Sequence, residues 1–348
     1  MTIADINPHL LHKRPYPACL SLVIPLFNEE ESAPFLCAAL SKFMAEVSCD
    51  TEIVLVNDGS TDLTLRIISE WASCDSRVKV VTLSRSFGHQ AALTAGLDYA
   101  TGDAIVTMDA DLQHPLHVIH RMIERYCEGY DVIYGQRQVS PGETWFKRAT
   151  SWLFYRFMRT FIYEGLPADS GDFRMLSRSC LDGLKEMRET HRFLRGMVAW
   201  VGFPQIGVSY EQMERVAGSS KYTLRKMVTL AWTAATSFSA LPLKMSITLG
   251  IFVTLGGLAE GIHALMAVFF HWYVVPGWTS LIVLVSVLGG ATLVSIGLLG
   301  EYVGKLYEQA KNRPLYLVSR TVNVTTRISA NEDSNLRQQR FSDAVSSK

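Results

Sequence analysis

The chain has 348 residues, and its 33 basic residues balance its 33 acidic residues to give a formal net charge of zero. This balance provides no general attraction to nucleic acid, so the sequence predicts no nucleic-acid partner. The six cysteines are scattered without a Cys-x-x-Cys pair, which argues against a zinc site and predicts reduced thiols in place of a disulfide framework.

Residues 1–18 are predicted to form a loose N-terminal arm. Pro8, Pro15 and Pro17 interrupt regular structure there, and the arm lacks the apolar segment of a signal peptide. We therefore expect the domain that follows, residues 19–220, to remain in the cytosol.

The first half of this domain alternates between apolar, β-branched runs and helical patterns. Such alternation predicts βαβ units, and so an α/β fold with a mostly parallel sheet flanked by helices. Ligands of such sheets bind outside the carboxyl ends of the strands. The predicted strands cover residues 20–27, 52–56, 78–83, 104–108 and 132–135.

Polar residues follow each predicted strand, which predicts a binding site at one edge of the sheet. An ordinary polar turn is the alternative at each position taken singly. No Gly-x-Gly-x-x-Gly or Gly-x-x-x-x-Gly-Lys-Ser/Thr sequence accompanies the strands, so a dinucleotide or Walker-type phosphate site is unsupported. The strand-end residues are Asn28, Glu29, Asp58, Arg85, Asp109, Asp111 and Arg137.

Asp109 and Asp111 are one residue apart at the end of the fourth predicted strand. Because alternate residues of a strand share a side, both carboxylates can face one point beyond it. Hard divalent cations are held in this way, by one or two carboxylates together with substrate phosphates. A solvated Asp-x-Asp turn is the alternative for the motif alone.

Four segments in this order resemble the motifs of family 2 glycosyltransferases with the GT-A fold. The resemblance is greatest to membrane polyprenyl-phosphate glycosyltransferases of the bactoprenol glucosyltransferase type, to which dolichol-phosphate mannosyltransferases are related. It extends from about residue 20 to about residue 317. The segments are residues 24–29, 57–62, 84–90 and 109–113.

The resemblance implies a nucleotide sugar and a bound Mg²⁺ or Mn²⁺ that bridges its diphosphate. The residues implied for the nucleotide sugar are Pro25, Phe27 and Glu29 at the base and ribose, Asp58 at the base edge, and Asp109 and Ala110. The residues implied for the metal are Asp109, Asp111 and Gln113. His114 next to them could favour Mn²⁺ if it approached the metal, but a surface histidine that caps the following helix is the preferred interpretation.

The resemblance also implies a catalytic carboxylate and a grip on an acceptor phosphate. Asp172 matches the catalytic carboxylate, and Asp111 is the second residue expected to be catalytic. Asp169 is a weaker candidate for the catalytic carboxylate. Because the second pKa of a phosphate monoester is about 6, the acceptor is largely ionised, and we expect Asp172 to position groups or take the last proton rather than act as an obligatory strong base. The basic residues implied for the acceptor are Arg137, Arg148, Arg215 and Lys221.

The remaining segments predict attachment to a membrane. Aromatic and basic residues alternate over about 144–163, which predicts an interfacial helix, with a core helix as the alternative, and residues 221–238 form a second candidate. Residues 239–304 are predicted to contain two transmembrane helices. Lys and Arg flank both ends of this hairpin, which places the catalytic domain in the cytosol. Residues 305–348 are predicted to form a cytosolic tail, disordered from about 321.

Together these features predict a multi-pass membrane enzyme that transfers one glucose from UDP-glucose to polyprenyl (undecaprenyl or bactoprenyl) phosphate with inversion. Mannosyl, N-acetylhexosaminyl or aminoarabinosyl transfer to the same lipid class is the first alternative. A processive polysaccharide synthase is disfavoured because the chain has no Gln-x-x-Arg-Trp motif. An inactive scaffold or lipid-flipping partner is the non-enzymatic alternative. The resemblance further implies a homo-oligomer, namely a tetramer.

Overall fold

The computed structural model describes residues 11–137, 170–211, 213, 241–270 and 278–324. These residues form one sheet and eight helices. The strands are β1 (Cys19–Leu26), β2 (Asp50–Asn57), β3 (Val78–Leu83), β4 (Ala104–Thr107), β5 (Val132–Arg137), β6 (Ser170–Ser177), β7 (Gln205–Tyr210) and β8 (Val318–Val322). The helices are α1 (Ala33–Glu46), α2 (Thr64–Cys74), α3 (His89–Tyr99), α4 (Val118–Cys127), α5 (Arg178–Glu186), α6 (Leu194–Trp200), α7 (Leu241–Phe269) and α8 (Trp278–Ala310).

The eight strands follow the order β7-β5-β6-β4-β1-β2-β3-β8 across the sheet. β1 pairs in parallel with β2 and β4, β2 with β3, and β5 with β7. β6 lies antiparallel between β4 and β5, and β8 lies antiparallel to β3. The predicted α/β class is therefore confirmed, and each predicted strand is present with its bounds shifted by a few residues at most.

The sheet is buried on both faces, which explains its continuous apolar strands. On one face Leu22 and Leu55 belong to the core that α1, α2 and α4 cover. On the other face Val23 and Val54 belong to the core that α3, α5 and α6 cover. Since neighbouring residues of a strand point to opposite faces, these two cores need apolar residues on both faces of each central strand.

The antiparallel β6 brings its amino end to the edge where the parallel strands end. Thr107, the last residue of β4, pairs with Arg174, and the same register places Asp172 across from Asp109 just beyond the ladder. β5 ends at this edge with Arg137, which pairs with Tyr210 of β7. The topology thus assembles side chains from both halves of the domain at one place.

Three of the strands were not predicted from the sequence, namely β6, β7 and β8. β8 pairs with β3, so the chain returns to the sheet in a region that the sequence predicts to be a separate tail. The second apolar helix also ends later than predicted, at Ala310. The stretch up to Val322 therefore belongs to the folded domain.

Within the predicted loose arm, Arg14 is bonded to the α/β domain. The main-chain N–H of Arg14 donates to the carbonyl of Cys127 over 3.0 Å. Its guanidinium donates to the Gly129 carbonyl at 2.8 Å and to Asp131 at 3.0 Å. These bonds fix the segment against the end of α4, while residues 1–10 lie outside the described residues.

Helices α7 and α8 are long and apolar enough to cross a membrane over Leu243–His263 and Val287–Ala310. Large apolar side chains project from both, including Phe252 at 69% exposure and Leu293 at 71%. The two helices contact each other, with a hydrogen bond of 2.7 Å between the hydroxyls of Ser246 and Ser295. Exposed apolar surface of this extent suggests membrane association. The predicted interfacial helices lie outside the described residues.

The cytosol-facing end predicted for α8 is attached to the α/β domain. Glu308 lies 2.7 Å from the His191 imidazole, and the Gln309 side chain accepts a hydrogen bond of 2.8 Å from the Thr190 amide. After α8, the phenol of Tyr316 donates to Asp98 over 2.7 Å. These contacts hold the apolar hairpin in a fixed relation to the sheet.

Asn323, directly after β8, provides a test of how much the C-terminal strand stabilises the fold. Its side-chain amide donates to the carbonyls of Ala72 at 2.6 Å and Val78 at 2.9 Å. We expect Asn323→Ala to lower the free energy of unfolding by about 1–3 kcal/mol, because these carbonyls lose their donor. Thermal unfolding of purified protein measures the change. Asn312→Ala is the matched control, since Asn312 is exposed and shares the positive φ of Asn323, 46° against 56°.

Candidate active site

The Asp109–Asp111 turn begins where β4 ends. Leu112 adopts a positive φ of 57°, which turns the chain back, and the Gln113 amide donates to the Asp111 carboxylate at 3.2 Å. The Asp109 side chain is 40% exposed, so its carboxylate is accessible from the edge of the sheet. The turn therefore presents acidic oxygens outside the carboxyl end of β4, as predicted.

His114 is buried, so the predicted surface position is wrong. Its ring is 7% exposed and stacks on Phe173 with a centroid distance of 4.8 Å. Its Nδ1 accepts a hydrogen bond of 3.2 Å from the Asp109 amide. Burial lowers the pKa of His114 more than the nearby carboxylates raise it, which favours a neutral ring. His114 thus supports the turn from beneath.

The donor set of the turn fits a hard divalent cation. Asp109, Asp111 and Gln113 offer oxygen ligands within one turn, and oxygen ligands are those that Mg²⁺ and Mn²⁺ accept. Within the described ranges, no three His, Cys, Asp or Glu side chains converge to hold a metal ion. A cation bound here therefore needs further oxygens, and substrate phosphates are the usual source.

Asp172 lies in β6 and is only 7% exposed. The Arg195 guanidinium donates to both of its oxygens, at 2.9 and 3.0 Å. Its main-chain carbonyl accepts a hydrogen bond from the Thr107 hydroxyl, which fixes the strand at this point. Burial alone would raise the pKa of Asp172, but the charge of Arg195 and the hydrogen bonds from His89 and Arg195 hold it well below its usual range. Asp172 is therefore a fixed, ionised carboxylate.

His89, the first residue of α3, connects the two groups of acids. Its Nε2 lies 3.3 Å from the Asp172 carboxylate and 3.7 Å from that of Asp109. Partial desolvation by the surrounding protein lowers the pKa of His89, but the hydrogen bond to Asp172 and the charges of both carboxylates outweigh this and raise it. The sequence predicts no role for His89 or Arg195, although His89 lies in one of the segments that carry the family resemblance, residues 84–90. For His89, the available signal is a polar residue just after a strand-end loop.

The Asp58 carboxylate is hydrogen-bonded by groups of the protein itself. The carboxylate is 3% exposed and accepts hydrogen bonds from the Phe87 amide at 2.7 Å, the Gly88 amide at 3.0 Å and the Ser86 hydroxyl at 2.8 Å. Asp58 therefore shapes the β3–α3 loop that leads into His89. The base-edge contact implied by the resemblance stays a prediction.

The other residues implied for the nucleotide lie at the end of β1. Pro25 is buried within the strand, whereas the Phe27 side chain is 44% exposed. The Glu29 carboxylate accepts a hydrogen bond of 2.7 Å from Ser32. Among these three, Phe27 has the most accessible surface for a planar ligand. Ala110, next to the acids, is 5% exposed.

Of the acceptor residues implied by the resemblance, only Arg137 is described. It ends β5 at the same edge, beside Tyr210. Arg148, Arg215 and Lys221 lie outside the described residues, as does Asp169. The structure therefore brings together one predicted basic residue, Asp109, Asp111 and Asp172.

The candidate site consists of paired acids at the carboxyl edge of a mostly parallel sheet. The model of glycosyl transferase family 2 matches residues 21–184. The uncharacterized glycosyltransferase YkcC of Bacillus subtilis is 41% identical over 87% of this chain and 94% of that protein. The chain therefore belongs to glycosyl transferase family 2.

Relatives with more specific names are also found. The bactoprenol glucosyl transferase of Shigella phage SfII is 37% identical over 87% of this chain and 98% of that protein. Among solved structures, glucosyl-3-phosphoglycerate synthase from Mycobacterium tuberculosis, in complex with Mn²⁺, UDP and glucosyl-3-phosphoglycerate, has a TM-score of 0.43 at 17% identity. That match covers 63% of this chain and 78% of the other.

Proposed function

We propose that the protein transfers a single glucose from UDP-glucose to a polyprenyl phosphate, with inversion at the anomeric carbon. The main support is the near full-length similarity to proteins named bactoprenol glucosyl transferases, at 37–38% identity over 97–98% of their lengths. The intact set of Asp109, Asp111 and Asp172 at the sheet edge disfavours an inactive scaffold.

The donor diphosphate would bind at the turn after β4. Asp109, Asp111 and Gln113 would hold Mg²⁺ or Mn²⁺, which acts as a Lewis acid on the leaving nucleoside diphosphate. The exposed face of Phe27 offers a stacking surface for the base at the neighbouring strand end. The buried His114 keeps the turn in place while the charge on the leaving group develops.

The acceptor would approach from the β5 and β6 side of the edge. A phosphate monoester is largely ionised above pH of about 6, so it needs cations that orient it more than a strong base. Arg137 lies at this side, and Arg148, Arg215 and Lys221 are proposed to complete the grip. Asp172, fixed by Arg195, would orient this group of charges.

The apolar hairpin explains how a lipid phosphate would reach the site. We place α7 and α8 across the membrane and the catalytic domain on the cytosolic side, because Lys and Arg flank the hairpin and are missing from its connecting bend. The contacts of Glu308 and Gln309 with the α/β domain would hold the sheet edge near the headgroups.

Purified full-length protein in detergent provides the direct test. It is incubated with undecaprenyl phosphate, Mn²⁺ or Mg²⁺, and separately with labelled UDP-glucose, UDP-N-acetylglucosamine, GDP-mannose and UDP-aminoarabinose. We expect label in the lipid only with UDP-glucose and only before EDTA is added, and a β-linked product by NMR. Transfer from another donor would replace the proposed sugar.

No transfer from any donor would contradict an enzymatic function for this chain. A mutant in which Asp111 is replaced by Asn serves as the inactive reference.

The mass of the detergent-solubilised protein, measured by light scattering, tests the proposed homotetramer in the same preparation.

A further inference from the structure

His89 lies between two carboxylates of the site, those of Asp109 and Asp172. Its Nε2 lies between a carboxylate proposed to bind the metal, that of Asp109 at 3.7 Å, and the buried carboxylate of Asp172 at 3.3 Å. Ionised carboxylates only accept hydrogen bonds, so the nitrogen between them must carry the hydrogen. His89 therefore supplies the hydrogen at the point where the nucleotide-sugar side of the site meets the side of the acceptor phosphate.

Several bonds fix the first turn of α3 in this place. Gly88, with a φ of 96°, precedes the helix and donates its amide to Asp58 at 3.0 Å. The Gln90 side chain accepts a hydrogen bond of 3.0 Å from the Leu194 amide, one residue before Arg195. The same helix turn thus sets the position of His89 and of the segment that carries Arg195.

Packing does not explain His89, because 45% of its side chain is exposed. Together, His89 and Arg195 face both oxygens of Asp172. Without His89, the Asp172 oxygen that faces it would keep only its bond from Arg195 and would be open on the side of Asp109, which lies across from it in the sheet register. A third carboxylate would then be available to a cation at the turn.

We propose that His89 is a positioning residue that keeps Asp172 out of the metal's coordination shell, so that the cation stays with Asp109 and Asp111 and Asp172 stays with the acceptor. The proposal deepens the proposed function and rests on it for the identity of the two substrates. In this role, His89 separates Asp172 from the Asp109–Asp111 pair, which the fold places next to it.

The proposal predicts opposite changes in metal binding and in turnover. In His89→Ala, Mn²⁺ is expected to bind roughly 3- to 10-fold more tightly in the presence of UDP, since the number of charged ligands sets the affinity of such sites. Turnover with UDP-glucose and undecaprenyl phosphate is expected to fall roughly 10- to 100-fold, as for other losses around a metal site. A general structural lesion would weaken both.

Isothermal titration of full-length protein with Mn²⁺ and UDP measures the first quantity without any turnover. His89→Gln retains a side-chain donor and should recover most of both properties. His117→Ala, the loss of an exposed histidine just before α4, is the matched control and should change neither. Combining His89→Ala with Asp172→Asn should abolish the gain in Mn²⁺ affinity, because the added ligand is then missing.

Unchanged or weaker Mn²⁺ binding in His89→Ala would overturn the proposal, as would wild-type turnover. If the wild-type protein transfers no sugar, the proposed function fails, but the titration still decides whether His89 keeps Asp172 from the cation. Full Mn²⁺ affinity gain in the double variant would also refute it, because the gain would then not come from Asp172.

Discussion

Replacement of Asp111 with Asn is expected to reduce glucose transfer at least about a thousandfold, which corresponds to about 4 kcal/mol of transition-state stabilisation. The reason is that a neutral amide is a weaker ligand for a hard cation, and the charge on the leaving diphosphate then lacks most of its Lewis acid. Initial rates with saturating UDP-glucose and a series of Mn²⁺ concentrations measure the effect. Higher Mn²⁺ should restore only part of the rate.

Asp103→Asn is the matched control for this substitution. Asp103 precedes the same strand at its opposite end, where its carboxylate accepts hydrogen bonds from the amides of Ala18 at 3.0 Å and Cys19 at 3.1 Å. An amide oxygen can still accept these bonds, so activity should remain near that of the wild type. If Asp111→Asn kept a tenth of the wild-type rate, Asp111 would not be a metal ligand.

The parallel half of the sheet could be predicted because its strands are buried on both faces. β1 to β4 each contain a run of buried apolar residues, and the polar residues that follow them mark the edge where they end. The placement of Asp109 and Asp111 at that edge needs only chain direction and strand alternation. This much of the candidate site follows from local sequence.

The antiparallel half could not be predicted in the same way. β6 carries the buried charged residues Asp172 and Arg174 between its apolar residues, so it lacks a continuous apolar run. β8 has three exposed residues in its centre and pairs through its backbone with β3, which is distant in sequence. Such pairings depend on tertiary structure and leave little periodic signal.

The positions of the two histidines of the site show a similar limit. His114 is buried because the Asp109 amide and the Phe173 ring satisfy a neutral imidazole, and neither contact is visible in the order of residues. His89 meets Asp172 only because β6 inserts next to β4. The sequence could mark both residues as polar neighbours of a site but not assign their contacts.

Asp172→Asn is expected to lower the rate roughly 10- to 100-fold and to leave its dependence on pH unchanged between pH of about 5 and 9. Asp172 has a folded-state pKa held well below its usual value of about 3.9 by Arg195 and His89, so it is ionised throughout this window. The stability that its ion pair contributes is present above that usual value and is lost only as pH falls through the depressed pKa. The second ionisation of the acceptor phosphate, with a pKa near 6, therefore sets the fall of the transfer rate at acid pH.

Transfer rates of wild-type and Asp172→Asn protein from pH 5 to 9, with donor binding measured by titration with UDP, test this expectation. Both proteins should gain rate through about pH 6 and then level off, because the same phosphate ionises in both. Thermal unfolding of the variant shows whether Arg195 and the buried Arg174 still pack without their counter-charge. Complete loss of transfer at every pH in a folded variant that still binds UDP would instead assign proton abstraction to Asp172. The ion pair with Arg195 would then have to open when the acceptor binds, because a carboxylate bonded at both oxygens is a poor base.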